Sequence, residues 1–303
     1  MSAVLVESGL DQGAIWHFGE PNREQRELAA GNGWADLSHR SIITIAGADR
    51  TKWLNDMMTQ ELATLPQGEW TETLLLDAHG HIEQQLFLVD DGSAIWVHTE
   101  VANAEGLITY LNKMKFMLDV DVQDRSEEFA VLRAPGTPDK LGGPYALVSR
   151  TELTAFAAAY AAAGHIQVGT WALEAERVAA GRARILLETD YKSIPNELGF
   201  LHTAVHMNKG CYRGQETVAK VYNLGRPPRR LVLLHLDGSM VHMPEHGAKV
   251  IYDGKEIGQI GSMARHYELG PIALAVIKRS VPIDATLDID GVSATQEVLV
   301  SAD

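Results

Sequence analysis

The chain has 303 residues, one cysteine and a net charge of −14, from 26 basic and 40 acidic side chains. One cysteine excludes a disulfide framework, a zinc site of three or four thiolates and an iron-sulfur cluster held only by cysteines. The acidic charge argues against general nucleic-acid binding and against adhesion to anionic membranes. With 46% hydrophobic and 22% charged residues, the composition predicts a soluble globular protein of about two or more domains.

The N-terminus lacks the basic region and the apolar core of a secretory signal. The most apolar stretch, residues 156–163, is short and alanine-rich, and no run of 18 apolar residues occurs. We therefore expect a cytoplasmic protein.

The first 116 residues show the patterns of an α+β module. The predicted elements are strands at residues 41–46, 72–76, 81–89 and 94–99, a helix capped by Asp49 and a helix over residues 102–116. Turns at Gly80 and Gly92 join the later strands. Helices and strands in this order favour an α+β fold over a doubly wound sheet.

A similar pattern of strands and helices follows from residue 129. After residue 230 the sequence predicts only short strands. The predicted elements are strands at residues 129–133 and 145–148, and helices at residues 151–163 and 172–180. Ser149 and Glu152 fit a capping box for the first of these helices. The later strands are predicted at residues 231–236, 249–252, 256–262, 272–277, 286–289 and 296–300. This spacing predicts a small C-terminal β-barrel.

The segment from Lys209 to Arg230 reverses the charge of the chain. It holds six basic residues and one acidic residue, so its local charge is +5 and the rest of the chain carries −19. The basic residues are Lys209, Arg213, Lys220, Arg226, Arg229 and Arg230. The segment is either a solvated basic stretch or a site for a ligand that carries carboxylates or phosphates.

The octapeptide Lys209-Gly-Cys-Tyr-Arg-Gly-Gln-Glu216 has the most specific sequence in the chain. Its glycines allow tight turns on both sides of Cys211, and Lys209 and Arg213 bring positive charge. Nearby cations favour the thiolate and would make Cys211 reactive. A small buried cysteine with no chemical role is an equally good reading of the octapeptide alone.

Glu197, in Pro195-Asn-Glu197, is a second candidate. A carboxylate can accept two parallel hydrogen bonds from the amidine-like edge of a pterin or guanine ring. The commoner outcome for such a sequence is a surface glutamate after a proline turn.

Other sequence patterns give weaker support for a functional site. Gly31 and Gly33 lack the third glycine and the preceding strand of a dinucleotide-binding turn. The pairs His202/His206 and His242/His246 have metal-ligand spacing but lack an accompanying glutamate. We therefore predict no metal site.

The chain resembles the YgfZ-type folate-binding family, which is related to the glycine-cleavage aminomethyltransferase (T-protein). The octapeptide is similar to that family's Lys-Gly-Cys-Tyr-x-Gly-Gln-Glu signature. The supporting matches are Asp36-Leu-Ser38, Ile45-Ala-Gly-Ala-Asp49, Arg177 to Gly181, Pro195-x-Glu197, Gly258-Gln-Ile-Gly-Ser262 and Ile272-Ala-Leu-Ala275. The similarity spans roughly residues 30 to 280.

The resemblance implies a ring of three domains with tetrahydrofolate, or a derivative, in the central opening. We assign residues 1–50 with 129–228 to a folate-binding α+β core, residues 51–128 to a second α+β module and residues 229–303 to the barrel. Glu197 would hold the pterin edge, and the basic segment would face the anionic glutamyl tail. The residues predicted to bind folate are Glu197, Lys209, Tyr212, Arg213, Arg226, Arg229, Arg230 and Gln85.

Gln84 and Gln85 stand where the aminomethyltransferases carry paired aspartates, one of them central to methylene transfer. An amide cannot act as a carboxylate base. The resemblance therefore implies a folate-binding protein that supports iron-sulfur enzymes or assembly factors, with Cys211 as the functional thiol. The alternatives are a folate-dependent aminomethyl transferase that uses another base, and a demethylating oxidase. We expect no flavin, because the oxidases carry an additional domain for which this chain has no room.

Overall fold

The computed structural model describes residues 3–238 and 243–301, so His242 of the second histidine pair lies outside the described residues. The helices are α1 Pro21–Ala29, α2 Arg50–Met57, α3 Val101–Met114, α4 Leu153–Ala162, α5 Thr170–Ala179 and α6 Gln215–Leu224. The strands before α4 are β1 Val4–Leu5, β2 Ile15–His17, β3 Gly33–Asp36, β4 Ser41–Ala46, β5 Thr71–Leu76, β6 Ile82–Asp90, β7 Ala94–Thr99, β8 Asp121–Asp124, β9 Phe129–Arg133 and β10 Tyr145–Ser149. The later strands are β11 Ile166–Gln167, β12 Arg229–Leu236, β13 Lys249–Tyr252, β14 Lys255–His266, β15 Gly270–Lys278, β16 Leu287–Ile289 and β17 Val292–Val298.

The chain folds into two compact units. The first comprises the described residues of Met1–Leu75, Gln84–Leu173 and Thr203–Arg213, and the second those of Leu76–Glu83, Glu174–His202 and Gly214–Asp303. Among the described helices, none is long and apolar enough to cross a membrane.

The first unit contains two mixed layers of helix and sheet. One sheet has the strand order β10-β9-β3-β11, and the other has the order β5-β6-β7-β4-β8. Helices α2 and α3 bury Leu54 and Leu107 against β4, β6 and β7 on one face of the five-stranded sheet. The opposite face carries Ile42, which packs with Val131 of the four-stranded sheet. The alternation of side chains along each strand therefore gives the five-stranded sheet two buried faces.

The second unit is built around a closed barrel with the order β12-β15-β14-β13-β16-β17. Its interior is filled by small and branched apolar side chains, including Val232, Ile260 and Ala275. The predicted α+β fold with a C-terminal β-barrel is confirmed. The assignment of three domains in a ring stays a prediction. Strand β4 lies in the segment assigned to the folate-binding core, but it pairs with β7 and β8, which lie in the segment assigned to the second module.

Several local predictions need correction. Asp49 lies at the N-cap of α2, but its side chain does not cap the helix and instead accepts a hydrogen bond from the Asp119 backbone N–H at 2.9 Å. Ser149 accepts from the backbone N–H of Thr151 rather than forming a capping box with Glu152. The helix predicted over 102–116 ends at Met114, because Phe116 has a positive φ of 45°. The patterns also missed α1 and α6, which are short helices with few buried side chains.

Candidate functional site

The Lys209 ammonium anchors the octapeptide to the first unit. Its Nζ donates to the backbone carbonyls of Asn55, Met58 and Gln60 at 2.6, 2.7 and 2.7 Å, where α2 ends and the chain turns toward β5. Cations are favourable at the C-terminal end of a helix, where carbonyls lack partners. Burial lowers the pKa of Lys209 to about 8. The structure thus engages Lys209 with backbone carbonyls of its own unit.

Further hydrogen bonds hold the residues that precede Lys209. The Thr59 hydroxyl donates to the Ala204 carbonyl at 2.6 Å, and the Gln60 amide donates to the Thr203 carbonyl at 3.0 Å. The backbone N–H of His206 donates to the Thr59 carbonyl at 2.9 Å. The segment before Cys211 is therefore fixed at several points to the turn between α2 and β5.

The remaining octapeptide residues of this unit have different environments. Cys211 is exposed and is a free thiol. Tyr212 is buried, which raises its pKa to about 12, and its ring lies 5.5 Å from the Lys209 Nζ. The Arg213 guanidinium lies 5.6 Å from the ring of Tyr110 on α3. The exposure of Cys211 excludes the alternative that it is a small buried hydrophobe.

Gln85 is buried on β6 and belongs to a polar group inside the first unit. Its Nε2 donates to Glu72 Oε1 on β5 at 2.5 Å, and its backbone carbonyl accepts from the Thr99 hydroxyl at 2.9 Å. Gln84 Oε1 is buried and has no hydrogen-bond partner among the described residues. A carboxylate, Glu72, therefore lies within hydrogen-bonding distance of the amide that replaces a family aspartate.

His98 is a buried residue that the sequence analysis missed. Its ring stacks on Phe87 at a centroid distance of 4.9 Å and meets the edge of Tyr145 at 4.7 Å. Neither ring nitrogen has a hydrogen-bond partner within the described parts of the chain. Burial lowers the pKa of His98 well below its usual range, and the charge of Arg40 lowers it further. Its neighbours Phe87 and Tyr145 are distant in sequence, so no local motif identifies it.

In the second unit, Glu197 is 1% exposed and is held by Arg229. Arg229 Nε donates to Glu197 Oε1 at 2.9 Å, and Nη2 donates to Oε2 at 2.8 Å. Arg229 Nη1 also donates to Asp190 Oδ2 at 2.6 Å. Glu197 Oε2 accepts a further hydrogen bond from the Ile194 backbone N–H at 3.3 Å. The predicted surface alternative for Glu197 is excluded by its burial, and Asp190 joins the group without a motif that would have revealed it.

The other two arginines of this unit that were predicted to bind folate differ in their burial. Arg230 is fully buried, and its guanidinium donates to the carbonyls of Arg279 and Val281 and to the side chain of Gln296. Arg226 is exposed just beyond the C-terminal end of α6. Only part of the +5 segment is therefore presented to solvent. Across residues 3–238 and 243–301, no group of three or more His, Cys, Asp and Glu side chains could hold a metal ion.

Comparisons with known proteins agree with the fold and with the resemblance. Residues 13–139 match the GCVT N-terminal domain family. The chain is 24% identical to an aminomethyltransferase of Streptomyces coelicolor, covering 86% of this chain and 82% of that protein. It is 23% identical to a mitochondrial homologue of the iron-sulfur cluster assembly factor IBA57 from Aspergillus fumigatus, covering 89% and 76%.

A solved structure extends the comparison to the fold. The glycine cleavage system aminomethyltransferase T of Bartonella henselae superposes with a TM-score of 0.81 and 17% identity, covering 98% of this chain and 92% of that chain. At this identity the likeness concerns the fold alone. Together the matches confirm the resemblance: residues 13–139 match the GCVT N-terminal domain family, and the chain is similar to aminomethyltransferases and to iron-sulfur cluster assembly factors.

Proposed function

We propose that this relative of the aminomethyltransferases and of IBA57 binds tetrahydrofolate or a derivative and supports iron-sulfur cluster assembly or repair. Cys211 is the functional thiol of the proposal. The observation that carries it is an exposed cysteine two residues after Lys209, whose ammonium is fixed by three carbonyls. The relative named as an iron-sulfur cluster assembly factor, similar over 89% of the chain, supports the same role. A cytoplasmic location is part of the proposal.

The residues present fit a folate. Asn196 Oδ1, in the same unit as Glu197, is a buried acceptor without a partner among the described residues, and a heterocycle with several N–H groups needs such acceptors. Glu197 keeps lone pairs beyond those that Arg229 and Ile194 use, so it can accept from a pterin edge. Tetrahydrofolate, when bound, supplies a carrier for one-carbon units.

The structure changes how the proposal distributes roles among the predicted residues. Glu197 is the proposed pterin contact of the second unit, and Arg226 is the proposed partner of the anionic tail. Arg229 is already hydrogen-bonded to Glu197 and Asp190, so the proposal gives it the task of positioning Glu197. For Gln85 and Arg213 of the first unit, folate binding stays what the resemblance implies. Lys209, Tyr212 and Arg230 are buried, so the proposal gives them the task of positioning their segments.

Folate binding is tested by titrating tetrahydrofolate into the full chain and following the heat of binding. We expect saturable binding to the wild type and at least tenfold weaker binding to Glu197→Gln, since one charge-assisted contact contributes about 1.5–3 kcal/mol. Asp190→Asn is the matched control, because it removes the charge of the other carboxylate that pairs with Arg229 and leaves Glu197 unchanged. No saturable binding to the wild type would refute the folate half of the proposal.

The thiol is tested by complementation in cells that lack their own family member. Cys211→Ala should fail to restore the activity of an iron-sulfur enzyme, whereas Lys220→Ala, an exposed change in the same basic segment, should restore it. Because Cys211 is exposed, Cys211→Ala should change the free energy of unfolding by no more than about 0.5 kcal/mol. Full complementation by Cys211→Ala would remove the thiol from the mechanism.

The second candidate is a folate-dependent aminomethyl transferase, which the contact between Gln85 and Glu72 favours. Glu72 supplies the carboxylate that the paired glutamines lack. Formation of methylenetetrahydrofolate from an aminomethyl donor would support this function, and Glu72→Gln should abolish it. Absence of product while tetrahydrofolate is bound would reject the transferase.

A further inference from the structure

A cavity of about 320 Å³ lies beside the barrel in the second unit. It is bounded by residues 187–190 and by strands β14 and β15. Its volume is at the lower end of the range for small-molecule sites. The charged side chains that line it are Glu188, Asp190, Arg229, Glu256 and Lys278.

Glu188 contributes an incompletely satisfied carboxylate to the wall of this cavity. Its side chain is completely buried, and its Oε2 accepts from Arg177 Nη1 at 3.2 Å and from the Arg184 backbone N–H at 2.8 Å. Its Oε1 has no hydrogen-bond partner among the residues that the structure describes. Leaving a buried carboxylate oxygen without a donor costs free energy, and a donor from a bound ligand would recover it.

Two motifs of the family resemblance, residues 177–181 and residues 258–262, build this wall, and the proposed function does not use them. Arg177, from the first motif, donates to both Glu188 and the hydroxyl of Ser262. Gly261, from the second, packs so closely that a Cβ on it would lie 2.6 Å from Glu188 Oε1. The orientation of the Glu188 carboxylate is therefore fixed by residues of the barrel and of α5.

The other four charged side chains comprise three that are already paired and one available cation. Asp190 and Arg229 are hydrogen-bonded to each other, and Glu256 forms an ion pair with Lys249 at 2.7 Å. Lys278 Nζ donates one hydrogen bond, to the Glu256 carbonyl at 3.1 Å, and an ammonium has three N–H groups. The wall of the cavity thus holds a carboxylate with one oxygen that lacks a partner among the described residues, and an ammonium with N–H groups that are not used.

The geometry points to a binding site for a small zwitterion of the amino-acid type, with its ammonium on Glu188 and its carboxylate on Lys278. This proposal does not depend on folate binding or on Cys211, although Arg229 both lines the cavity and holds Glu197. The site lies wholly in the second unit, so it can be tested in the full chain without any folate present.

The experiment titrates L-alanine, L-serine and γ-aminobutyrate into the isotopically labelled full chain and follows the backbone amide signals of Gly258 and Gly261. At least one amino acid should shift these signals saturably, whereas methylammonium and acetate, which each carry one charge, should bind at least tenfold more weakly. Lys278→Met, an exposed change that should fold normally, should weaken binding at least threefold.

Glu188→Gln should weaken binding at least tenfold. Glu174→Gln is its matched control, because Glu174 also accepts from Arg177 but does not line the cavity. No saturable shift in the wild type up to 50 mM (~100 times a submillimolar Kd) would overturn the proposal. Equal binding by the wild type and Lys278→Met would overturn it as well, even if Glu188→Gln failed to fold.

Discussion

Arg229 donates to both carboxylate oxygens of Glu197, from Nε to Oε1 at 2.9 Å and from Nη2 to Oε2 at 2.8 Å. This is the planar two-bond geometry that guanidinium and carboxylate groups favour. The same guanidinium reaches Asp190. Burial alone would lower the pKa of Arg229, but the hydrogen bonds and charges of Glu197 and Asp190 raise it above its usual value. A cation predicted from sequence to face a ligand is thus already paired within its own unit.

The Asp190 carboxylate should make the stability of the chain depend on pH in the acid range. Burial alone would raise its pKa, but hydrogen bonds from Arg229, from the Lys192 backbone and from Ser193 lower it to about 2. A depressed pKa adds stability above the ordinary value of 3.8, and this stability is lost as the pH falls toward 2. Because Asp190 is partly exposed, we expect only about 1 kcal/mol at pH 7.

Urea unfolding of the wild type and Asp190→Asn at pH 7, 4 and 3 measures this contribution. The difference in free energy of unfolding between the wild type and Asp190→Asn should be smaller at pH 4 than at pH 7, and smaller again at pH 3. Asp284→Asn, which changes an exposed aspartate of the same unit, should show no such trend. A difference between the wild type and Asp190→Asn that stays constant from pH 7 to 3 would contradict the assignment.

Lys209→Met should destabilise the chain by about 1–3 kcal/mol at pH 7, because three carbonyls lose their shared charged donor. Lys220→Met removes an exposed lysine and should change the free energy of unfolding by no more than about 0.5 kcal/mol. Chemical denaturation of both variants provides the comparison. Equal stabilities of the two variants would show that the Lys209 contacts contribute little.

The lowered pKa of Lys209 adds a test at alkaline pH. Between about 8 and the ordinary value of 10.5, the unfolded chain binds a proton at this lysine that the folded chain does not. Stability rises with pH wherever the unfolded state binds more protons. The stability difference between the wild type and Lys209→Met should therefore widen from pH 8 to 10, and a narrowing difference would refute burial as the dominant effect.

Gln85→Glu should destabilise the chain by about 2–4 kcal/mol at neutral pH. The change sets a second buried carboxylate against Glu72, and two such groups cannot both stay ionised without cost. Gln123→Glu is the matched control, since Gln123 donates to Asp121 at 2.6 Å in an exposed pair on β8. Thermal unfolding at pH 7 and 5 should show a loss for Gln85→Glu that decreases at pH 5, and a small effect for Gln123→Glu.

Local pattern predicted part of the fold. The strand β4 was predicted from its β-branched residues, and the barrel from the spacing of short strands between turns. The partners of Lys209 were not predictable, since its carbonyl acceptors lie about 150 residues earlier in the chain. The sequence of a basic motif does not distinguish a lysine that binds a ligand from a lysine that binds the carbonyls at the end of a helix.

The candidate site was predicted by residue type more than by environment. The resemblance singled out Glu197 and Gln85, and both proved to be buried. Asp190, which shares Arg229 with Glu197, and Glu72, which accepts from Gln85, belong to no motif, because an acidic residue acquires such a role only when folding brings a donor to it. Burial of Arg230 in the barrel likewise depends on carbonyls of residues 279 and 281, which no pattern around position 230 reveals.

Two glycines of the first unit should respond to alanine with opposite signs. Gly106 lies exposed in the middle of α3, and a Cβ on it would meet nothing within 4 Å. Gly106→Ala should therefore stabilise the chain by about 0.5–1 kcal/mol, the difference in helix propensity. Gly47 has a φ of +105°, and a Cβ there would lie 2.1 Å from the Asp119 carbonyl oxygen.

Gly47→Ala should accordingly destabilise the chain by at least about 2 kcal/mol, because both the backbone conformation and the close contact resist a side chain. Thermal melts of the two variants in the same buffer give the comparison. A stabilised Gly47→Ala would mean that the turn between β4 and α2 rearranges freely, contrary to its hydrogen bonds with residue 119.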